Sequence, residues 1–258
     1  MVNRSVRELG GKLIHKRKIR ALLIALFSAV STSFFSFLPY IVSVMLNAFN
    51  LKEKLNNTIL YTVIVSVIML IITFFALEAY SSFSLGEKAW YSARMSKNQL
   101  CEKKLLFWFR PSRSFKALRF EAALFLVKAM WTTAFLLPSV SVFVCIVALA
   151  YSGGIELPLF ITLSSGGAFL LVTGLIFRFI VLQRYFIAPY LIASNPRLGA
   201  FQAIRQSKNL TDGHLTEIIS FKLSFIPWYI SCLLIVPVFI FYPRYKQSCS
   251  VLAKTLTL

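Results

Sequence analysis

Acidic residues are scarce in this sequence, which has nine Asp and Glu residues against 28 Lys and Arg residues. Most of the nine lie outside the apolar stretches of the chain, so a catalytic pair of carboxylates is not expected. The motifs H-E-x-x-H and G-x-S-x-G are absent, and so is a glycine-rich phosphate loop. We therefore predict that the chain is not an enzyme, that it has no cofactor and that it is not by itself an ATP-driven pump.

Histidine and cysteine are also few. The only histidines are His15 and His214, and neither has a second metal ligand near it in the sequence. None of the four cysteines forms a C-x-x-C pair, and two of them, Cys145 and Cys232, fall inside apolar stretches. We interpret the cysteines as small apolar packing residues and expect neither a metal site nor a disulfide framework.

Apolar residues, by contrast, make up 58% of the chain and occur in long runs. Five stretches are longer than the roughly 20 residues that a helix needs to cross the hydrocarbon core of a bilayer. They cover residues 19–49, 58–80, 122–150, 157–191 and 218–242. The sequence therefore predicts an all-α fold, a single polytopic bundle over residues 1–258 with about five transmembrane helices.

The basic residues lie beside these stretches, which is the pattern of a topology signal. A net charge of +19 would suggest nucleic acid in a soluble chain, but we expect none as a partner here. Positive charge is high in the N-terminal leader, low between the first two spans, high in residues 81–121, absent in residues 151–156 and high after the fourth span. This alternation predicts a multi-pass protein of the cytoplasmic membrane with a cytoplasmic N-terminus and, after five spans, an external C-terminus. The tail residues Arg244, Lys246 and Lys254 count against an external C-terminus, but the asymmetry elsewhere is larger.

Two basic segments between the spans have the pattern of amphipathic helices that lie in the cytoplasmic headgroup region. The first covers residues 90–120, where aromatic side chains accompany Lys and Arg. The second covers residues 195–213, with Asn195 predicted as its N-cap and Pro196 as its first helical residue. Each segment is either a surface helix that binds anionic lipid or a partner, or a connector between spans.

Three of the ionisable residues inside the predicted spans are candidates for function. Glu78 and Lys128 lie near the cytoplasmic ends of the second and third spans, at similar depth. They either form an ion pair in the bundle or extend separately to the interface. Arg178 in the fourth span lies either at the interface or deeper, facing the bundle interior.

The C-terminal third contains a series of short motifs. They are Y-F-I-A-P-Y-L-I-A-S-N-P at residues 185–196, A-I-R-Q-S-K at 203–208, G-H at 213–214, L-S-F-I-P-W at 223–228 and Y-P-R-Y at 242–245. The series resembles a bacterial family of multi-pass membrane proteins known only as domain of unknown function nine-seven-five, and the resemblance covers about half of the chain. It implies an uncharacterised bacterial membrane protein and supplies no catalytic or ligand-binding residues.

Two residues of these motifs are candidates on physical grounds. Ser207 can hydrogen-bond to the backbone one turn earlier or face a neighbouring span. Trp228 lies well inside the last predicted span, where it can be buried in the bundle.

Two functions remain open at this point. The first is a membrane-organising or accessory component that engages the bilayer, its anionic headgroups, and a membrane-protein partner or a second copy of the chain. The second is a small permease or export component, which a water-filled cavity lined by Glu78, Lys128 and Arg178 would favour. An intramembrane enzyme is the least expected, because no nucleophile–base or metal pair can be assembled from the sequence.

Overall fold

The fold is entirely helical in the part of the chain that the computed structural model describes, which is residues 2–15, 18–48, 58–93, 105–151, 157–231 and 235–257. The α-helices in these ranges are α1 Val2–His15, α2 Lys18–Ala48, α3 Thr58–Ala93, α4 Pro111–Tyr151, α5 Leu157–Leu182, α6 Ala188–Ser194, α7 Ala200–Thr211, α8 Leu215–Leu223, α9 Ile226–Ser231 and α10 Ile235–Thr255. Short 3-10 turns at Phe107–Phe109 and Gln183–Tyr185 precede α4 and α6. The predicted all-α class is confirmed. Lys52, Lys54, Cys101 and Cys232 lie outside the described residues.

Among the described residues, three segments are long and apolar enough to cross a membrane: Val63–Ala93, Pro111–Tyr151 and Pro158–Ser194. They contain the second, third and fourth of the predicted spans. The third segment joins α5, the Gln183–Tyr185 turn and α6. The first predicted span is occupied by α2, a helix of 31 residues.

Burial divides each long helix into two parts. In α3, Leu70 and Phe75 in the first half are exposed, whereas Leu85 and Trp90 in the second half are buried. In α4 the order is reversed, because Phe120 is buried and the side chains from residue 125 onward are mostly exposed. The buried ends meet in one assembly, which we call the base. It consists of α1, the second half of α3, the first half of α4, the helices α6, α7 and α8, and the second half of α10.

The long helices form two antiparallel hairpins that begin and end at the base. In the first hairpin, Phe27 of α2 contacts Phe83 of α3 with ring centroids 5.1 Å apart, and Ala21 packs with Trp90 and Tyr91. In the second hairpin, Gly174 of α5 approaches the backbone of α4. Small residues at such positions let two membrane helices come close together.

The last predicted span, residues 218–242, is divided among α8, α9 and α10 and is not a single helix. The ring of Phe225 lies 5.8 Å from that of Phe241 and 5.2 Å from that of Tyr245. Trp228 stacks on Phe241 at 6.4 Å with an interplanar angle of 8°. These contacts bring both ends of the segment together, so the chain turns back between residues 228 and 241.

The two ends of the chain lie side by side in the base. Helix α1 packs along α10, with Gly10 against Ser248, and the guanidinium of Arg7 lies 5.1 Å from the ring centre of Phe225. The structure does not confirm about five spans among the described residues, and the predicted positions of the termini on opposite sides of the membrane stay a prediction.

The first predicted surface segment, residues 90–120, does not form one helix. Trp90 belongs to the end of α3, Trp108 to a 3-10 turn, and both side chains are buried in the base. Residues 94–104 of this segment lie outside the described residues, and α4 begins at Pro111. Trp90 and Trp108 therefore pack against protein, whereas Phe109 and Phe115 are exposed.

The second predicted surface segment contains α7, which starts later than expected. Its N-cap is Gly199, and Asn195 instead ends α6. The Gln202 side chain accepts a hydrogen bond from the Gly199 backbone N–H at 3.1 Å, which fixes the start of the helix. One face of α7 is buried in the base, whereas Phe201 and Arg205 are exposed.

We predict that Gly174→Ala separates α4 from α5. An added Cβ at Gly174 would meet the backbone carbonyl oxygen of Phe135, which cannot move without its helix. We expect a loss of about 1–3 kcal/mol in the free energy of unfolding, the usual cost of overpacking, measured by thermal unfolding of the purified protein in a mild detergent. Gly166→Ala on the same helix is the control, because its Cβ would have nothing within 4 Å. Equal melting temperatures for the two variants would contradict the close approach.

Candidate functional site

An open pocket of about 500 Å³ lies in the base, between α3, α4, the end of α5, α8 and α10. Five basic side chains line it, one from each of these helices: Lys88, Lys128, Arg178, Lys222 and Lys246. Glu121 is the acidic residue of the lining. We call this site the basic pocket.

Two of the five cations are neutralised by carboxylates. The ammonium of Lys88 lies 3.5 Å from the carboxylate of Glu121 and donates a hydrogen bond to Ser84 at 2.7 Å. The ammonium of Lys246 lies 3.3 Å from the carboxylate of Glu87, which is only 3% exposed. These two pairs link α3 to α4 and α3 to α10, so they shape the pocket walls.

The other three cations have no carboxylate within 4 Å among the residues that the structure describes. Lys222 donates to the side-chain oxygen of Gln183 and lies 4.6 Å from the ring centre of Phe186. Arg178 donates through Nε to the hydroxyl of Thr132 at 2.9 Å. The third is Lys128, an exposed side chain of α4. Because the partners of Lys222 and Arg178 are neutral, they do not compensate the positive charges of these two side chains.

The side chain of Gln183 is fixed so that its oxygen faces Lys222. Its amide nitrogen donates to the backbone carbonyl oxygen of Phe179 at 2.8 Å. A nitrogen that already donates in this direction leaves the oxygen as the acceptor for an ammonium group. The 3-10 turn at Gln183–Tyr185 therefore positions Lys222 in the pocket.

The pKa values of two lysines of the pocket are shifted in opposite directions. It lowers the pKa of Lys222, and the charge of Lys128 lowers it further, although Cys249 acts against the shift. Burial alone would also lower the pKa of Lys246, but the neighbouring Glu87 and Tyr242 outweigh it, so this pKa lies above its ordinary value. An anion that enters the pocket would therefore stabilise the charged form of Lys222, whereas Glu87 already stabilises the charged form of Lys246.

Hydroxyl groups complete the lining. The tyrosines of the pocket are Tyr80, Tyr185, Tyr190 and Tyr245. Tyr185 accepts a hydrogen bond at its hydroxyl oxygen from the indole N–H of Trp131 at 3.0 Å, which leaves the hydroxyl hydrogen free to donate. Cations together with hydroxyl donors are the groups that bind phosphate and carboxylate oxygens.

The thiol of Cys249 also lines the pocket but is not a reactive nucleophile at neutral pH. Burial raises its pKa to about 11, and Lys222 only partly opposes this effect. A thiol reacts through its thiolate, which is a small fraction at neutral pH when the pKa is so high. Among the described residues, no group of three His, Cys, Asp or Glu side chains is placed to hold a metal ion. The arrangement is suited to binding an anion.

The structure places two of the five sequence candidates in this pocket, Lys128 and Arg178. Glu78 does not pair with Lys128, since its carboxylate accepts a hydrogen bond from the hydroxyl of Ser114 at 2.5 Å. Among the described residues no ion pair of Glu78 is found.

The other two candidates lie outside the basic pocket. Ser207 is fully buried and donates to the backbone carbonyl oxygen of Arg184 at 2.8 Å, which ties α7 to the turn before α6. Trp228 is 41% exposed and lies next to Phe225 and Arg7 at the edge of the α9–α10 turn. Both residues hold segments together, and neither lines the basic pocket.

Sequence reasoning missed Lys88, Glu121, Lys222 and Lys246 as site residues. A signal for Lys88 exists, because Tyr80, Ser84 and Lys88 recur every four residues and so share one face of a helix. This signal was missed because the second span was predicted to end at residue 80, whereas α3 continues to Ala93.

The fold and the pocket together define a class of protein: an all-helical chain with helices suited to crossing a membrane and a basic pocket in the base where these helices end. Within that class, the chain belongs to the family described as Protein of unknown function (DUF975), which matches residues 3–252. The predicted family is thereby confirmed over almost the whole chain, including the N-terminal helix. Comparisons with curated proteins and with solved structures give no match.

We predict that Glu78 is energetically coupled to Ser114 and not to Lys128. In a double-mutant cycle, Glu78→Gln and Ser114→Ala should be non-additive by about 0.5–3 kcal/mol, because each removes the same buried hydrogen bond. Unfolding free energies in detergent measure the coupling. The matched control is the cycle of Glu78→Gln with Lys128→Met, whose effects should add. If instead the effects at Glu78 and Lys128 are coupled and those at Glu78 and Ser114 add, the partner of the Glu78 carboxylate is Lys128.

Proposed function

We propose that the protein is a non-enzymatic, multi-pass protein of the bacterial cytoplasmic membrane, where it acts as a membrane-organising or accessory component that binds anionic lipid at its basic pocket. In this proposal the exposed apolar parts of α2, α3, α4 and α5 face lipid, and the base lies at the cytoplasmic surface. Exposed apolar side chains along most of a long helix are expected where the helix contacts lipid, since so large an apolar surface is unfavourable in water.

The distribution of basic residues supports the orientation. Of the 28 Lys and Arg residues, only Lys52 and Lys54 occur in the connections 49–57 and 152–156, where each hairpin turns. The other 26 lie outside these two connections. Because connections on the cytoplasmic side carry the excess of Lys and Arg, the base is assigned to that side.

The packing of α1 along α10 supports a cytoplasmic position for both termini. The basic residues of the tail, Arg244, Lys246 and Lys254, count against an external C-terminus. They agree with the charge rule once the C-terminal helix belongs to the base. Two hairpins that leave and re-enter the base would make four crossings in place of five.

The observation that carries the lipid-binding proposal is the set of uncompensated cations in the basic pocket. Lys128, Arg178 and Lys222 share one cavity without a carboxylate among the described residues to neutralise them. The cytoplasmic leaflet is rich in anionic headgroups, which are attracted to clustered Lys and Arg. A pocket at the ends of membrane helices is within reach of such headgroups.

A small permease for an anion is the second candidate. The fact that Lys128 and Arg178, both in apolar helices, line an open polar cavity favours it. The two functions differ in what happens after binding: a permease moves the anion across, whereas an accessory component retains it. Uptake of labelled phosphate by vesicles that contain the protein, compared with empty vesicles, separates them.

We predict that both termini are cytoplasmic. A reporter that is active only in the cytoplasm should be active when fused to the C-terminus or after Lys208, and inactive after Gly154. The reason is that the C-terminal helix packs on the N-terminal one. If the C-terminal fusion is inactive although the protein still inserts into the membrane, the C-terminus is external and the number of crossings is odd.

We predict that the full-length protein binds phosphatidylglycerol more tightly than phosphatidylcholine and that salt weakens the difference, since attraction between exposed charges is screened within about 8 Å at physiological salt. Native mass spectrometry of the protein titrated with each lipid measures the two affinities. Arg178→Gln should reduce the preference, and Arg205→Gln, on the exposed face of α7, should leave it unchanged. Equal binding of both lipids by the wild type would refute the proposed function.

A further inference from the structure

The charge balance of the basic pocket indicates how much negative charge its ligand carries. Five cations line it, and Glu121 and Glu87 neutralise two of them. Three uncompensated cations share one open pocket and repel each other, so an occupant that brings about two negative charges completes the site better than one that brings a single charge. A phosphomonoester carries about −1.5 to −2 at pH 7, whereas the phosphodiester of an ordinary phospholipid carries one charge.

The donors of the pocket suit a terminal phosphate. Arg178 uses Nε to hold Thr132, so its two terminal nitrogens remain for a bidentate contact with phosphate oxygens. Lys222 contacts a neutral amide and an aromatic ring. Lys128 is near enough to Lys222 to affect its protonation. A terminal phosphate offers three oxygens to such a set of donors, while a diester offers two.

The surroundings of the pocket favour a lipid over soluble phosphate. Large apolar side chains flank the two cations that stand on membrane helices. Phe125 is exposed one turn before Lys128, and Leu175 is exposed one turn before Arg178. A headgroup bound by these cations would leave its acyl chains against apolar surface, where soluble phosphate has nothing to contact.

We propose that the basic pocket selects a lipid phosphomonoester, such as phosphatidic acid, over phospholipids with a phosphodiester. This inference rests on the proposed function and narrows it from anionic lipid in general to one headgroup chemistry. Lys222, Arg178 and Lys128 supply the positive charge, and the fixed side chain of Gln183 positions Lys222.

Lys222 gives the most specific test, because a purely structural role and a binding role predict different results. Its ammonium is partly buried and has no carboxylate partner among the described residues, so Lys222→Gln removes an unfavourable charge and keeps a polar group beside Gln183. The unliganded variant should be at least as stable as the wild type, whereas its preference for the phosphomonoester should be lost. Lys222→Arg keeps the charge and should keep the preference.

The experiment is native mass spectrometry of the full-length protein in detergent, titrated separately with phosphatidic acid, phosphatidylglycerol and phosphatidylcholine, with melting temperatures recorded for every variant. We expect the wild type to bind phosphatidic acid about tenfold more tightly than phosphatidylglycerol, as one further charge-assisted hydrogen bond would provide. Lys222→Gln should bind the two anionic lipids about equally, and the exposed-site control Arg205→Gln should behave as the wild type.

The outcomes separate the two proposals. Equal affinity of the wild type for phosphatidic acid and phosphatidylglycerol, both above phosphatidylcholine, would overturn the phosphomonoester inference and leave the proposed function standing. Equal affinity for all three lipids would overturn both. Displacement of phosphatidic acid by inorganic phosphate at a similar concentration would show that free phosphate is the ligand and would overturn the lipid assignment. If Lys222→Gln fails to fold, the comparison of lipids on the wild type and on Lys222→Arg still decides.

Discussion

A buried carboxylate on α3 constrains the rest of the structure. Glu87 is almost inaccessible to solvent, and a charge in such a place needs hydrogen bonds and an opposite charge. Both come from α10: Lys246 pairs with the carboxylate, and Tyr242 donates to it at 3.2 Å. The C-terminal helix must therefore lie against α3, and the chain before it must turn back. The same contact places Tyr245 and Lys246 in the wall of the basic pocket.

Much of the fold could be predicted from the sequence because the signals for it are local. Long apolar runs specify α2, α3, α4 and α5 through length and composition alone. The turn between residues 228 and 241 could not be predicted in this way, because it depends on contacts between distant residues. Phe225, Phe241 and Tyr245 meet only in the folded chain. A hydropathy pattern is the same whether apolar side chains face lipid or each other.

The site was predicted in part, for a comparable reason. Lys128 and Arg178 are recognisable because each interrupts an apolar stretch. Lys88 and Lys246 lie near the ends of such stretches, where basic residues usually indicate only topology. A pairing of Glu78 with Lys128, one of the two alternatives that the sequence left open, rested on equal depth, but each residue along a helix also turns the side chain by about 100°. Depth alone therefore does not identify a partner, and Ser114 faces the carboxylate instead.

The contrast between the lysines of the pocket bears on what the pocket is for. A lysine that serves only the fold is expected to have a carboxylate partner when buried, as Lys246 has in Glu87. Lys222 is buried against an amide and a ring, and an uncharged side chain could fill the same space without the cost of desolvating an ammonium. Residues whose charge costs stability and faces a cavity are characteristic of binding sites. In the basic pocket, the two lysines that join helices, Lys88 and Lys246, are thus paired with carboxylates, whereas Lys222 keeps a charge that an anion can neutralise.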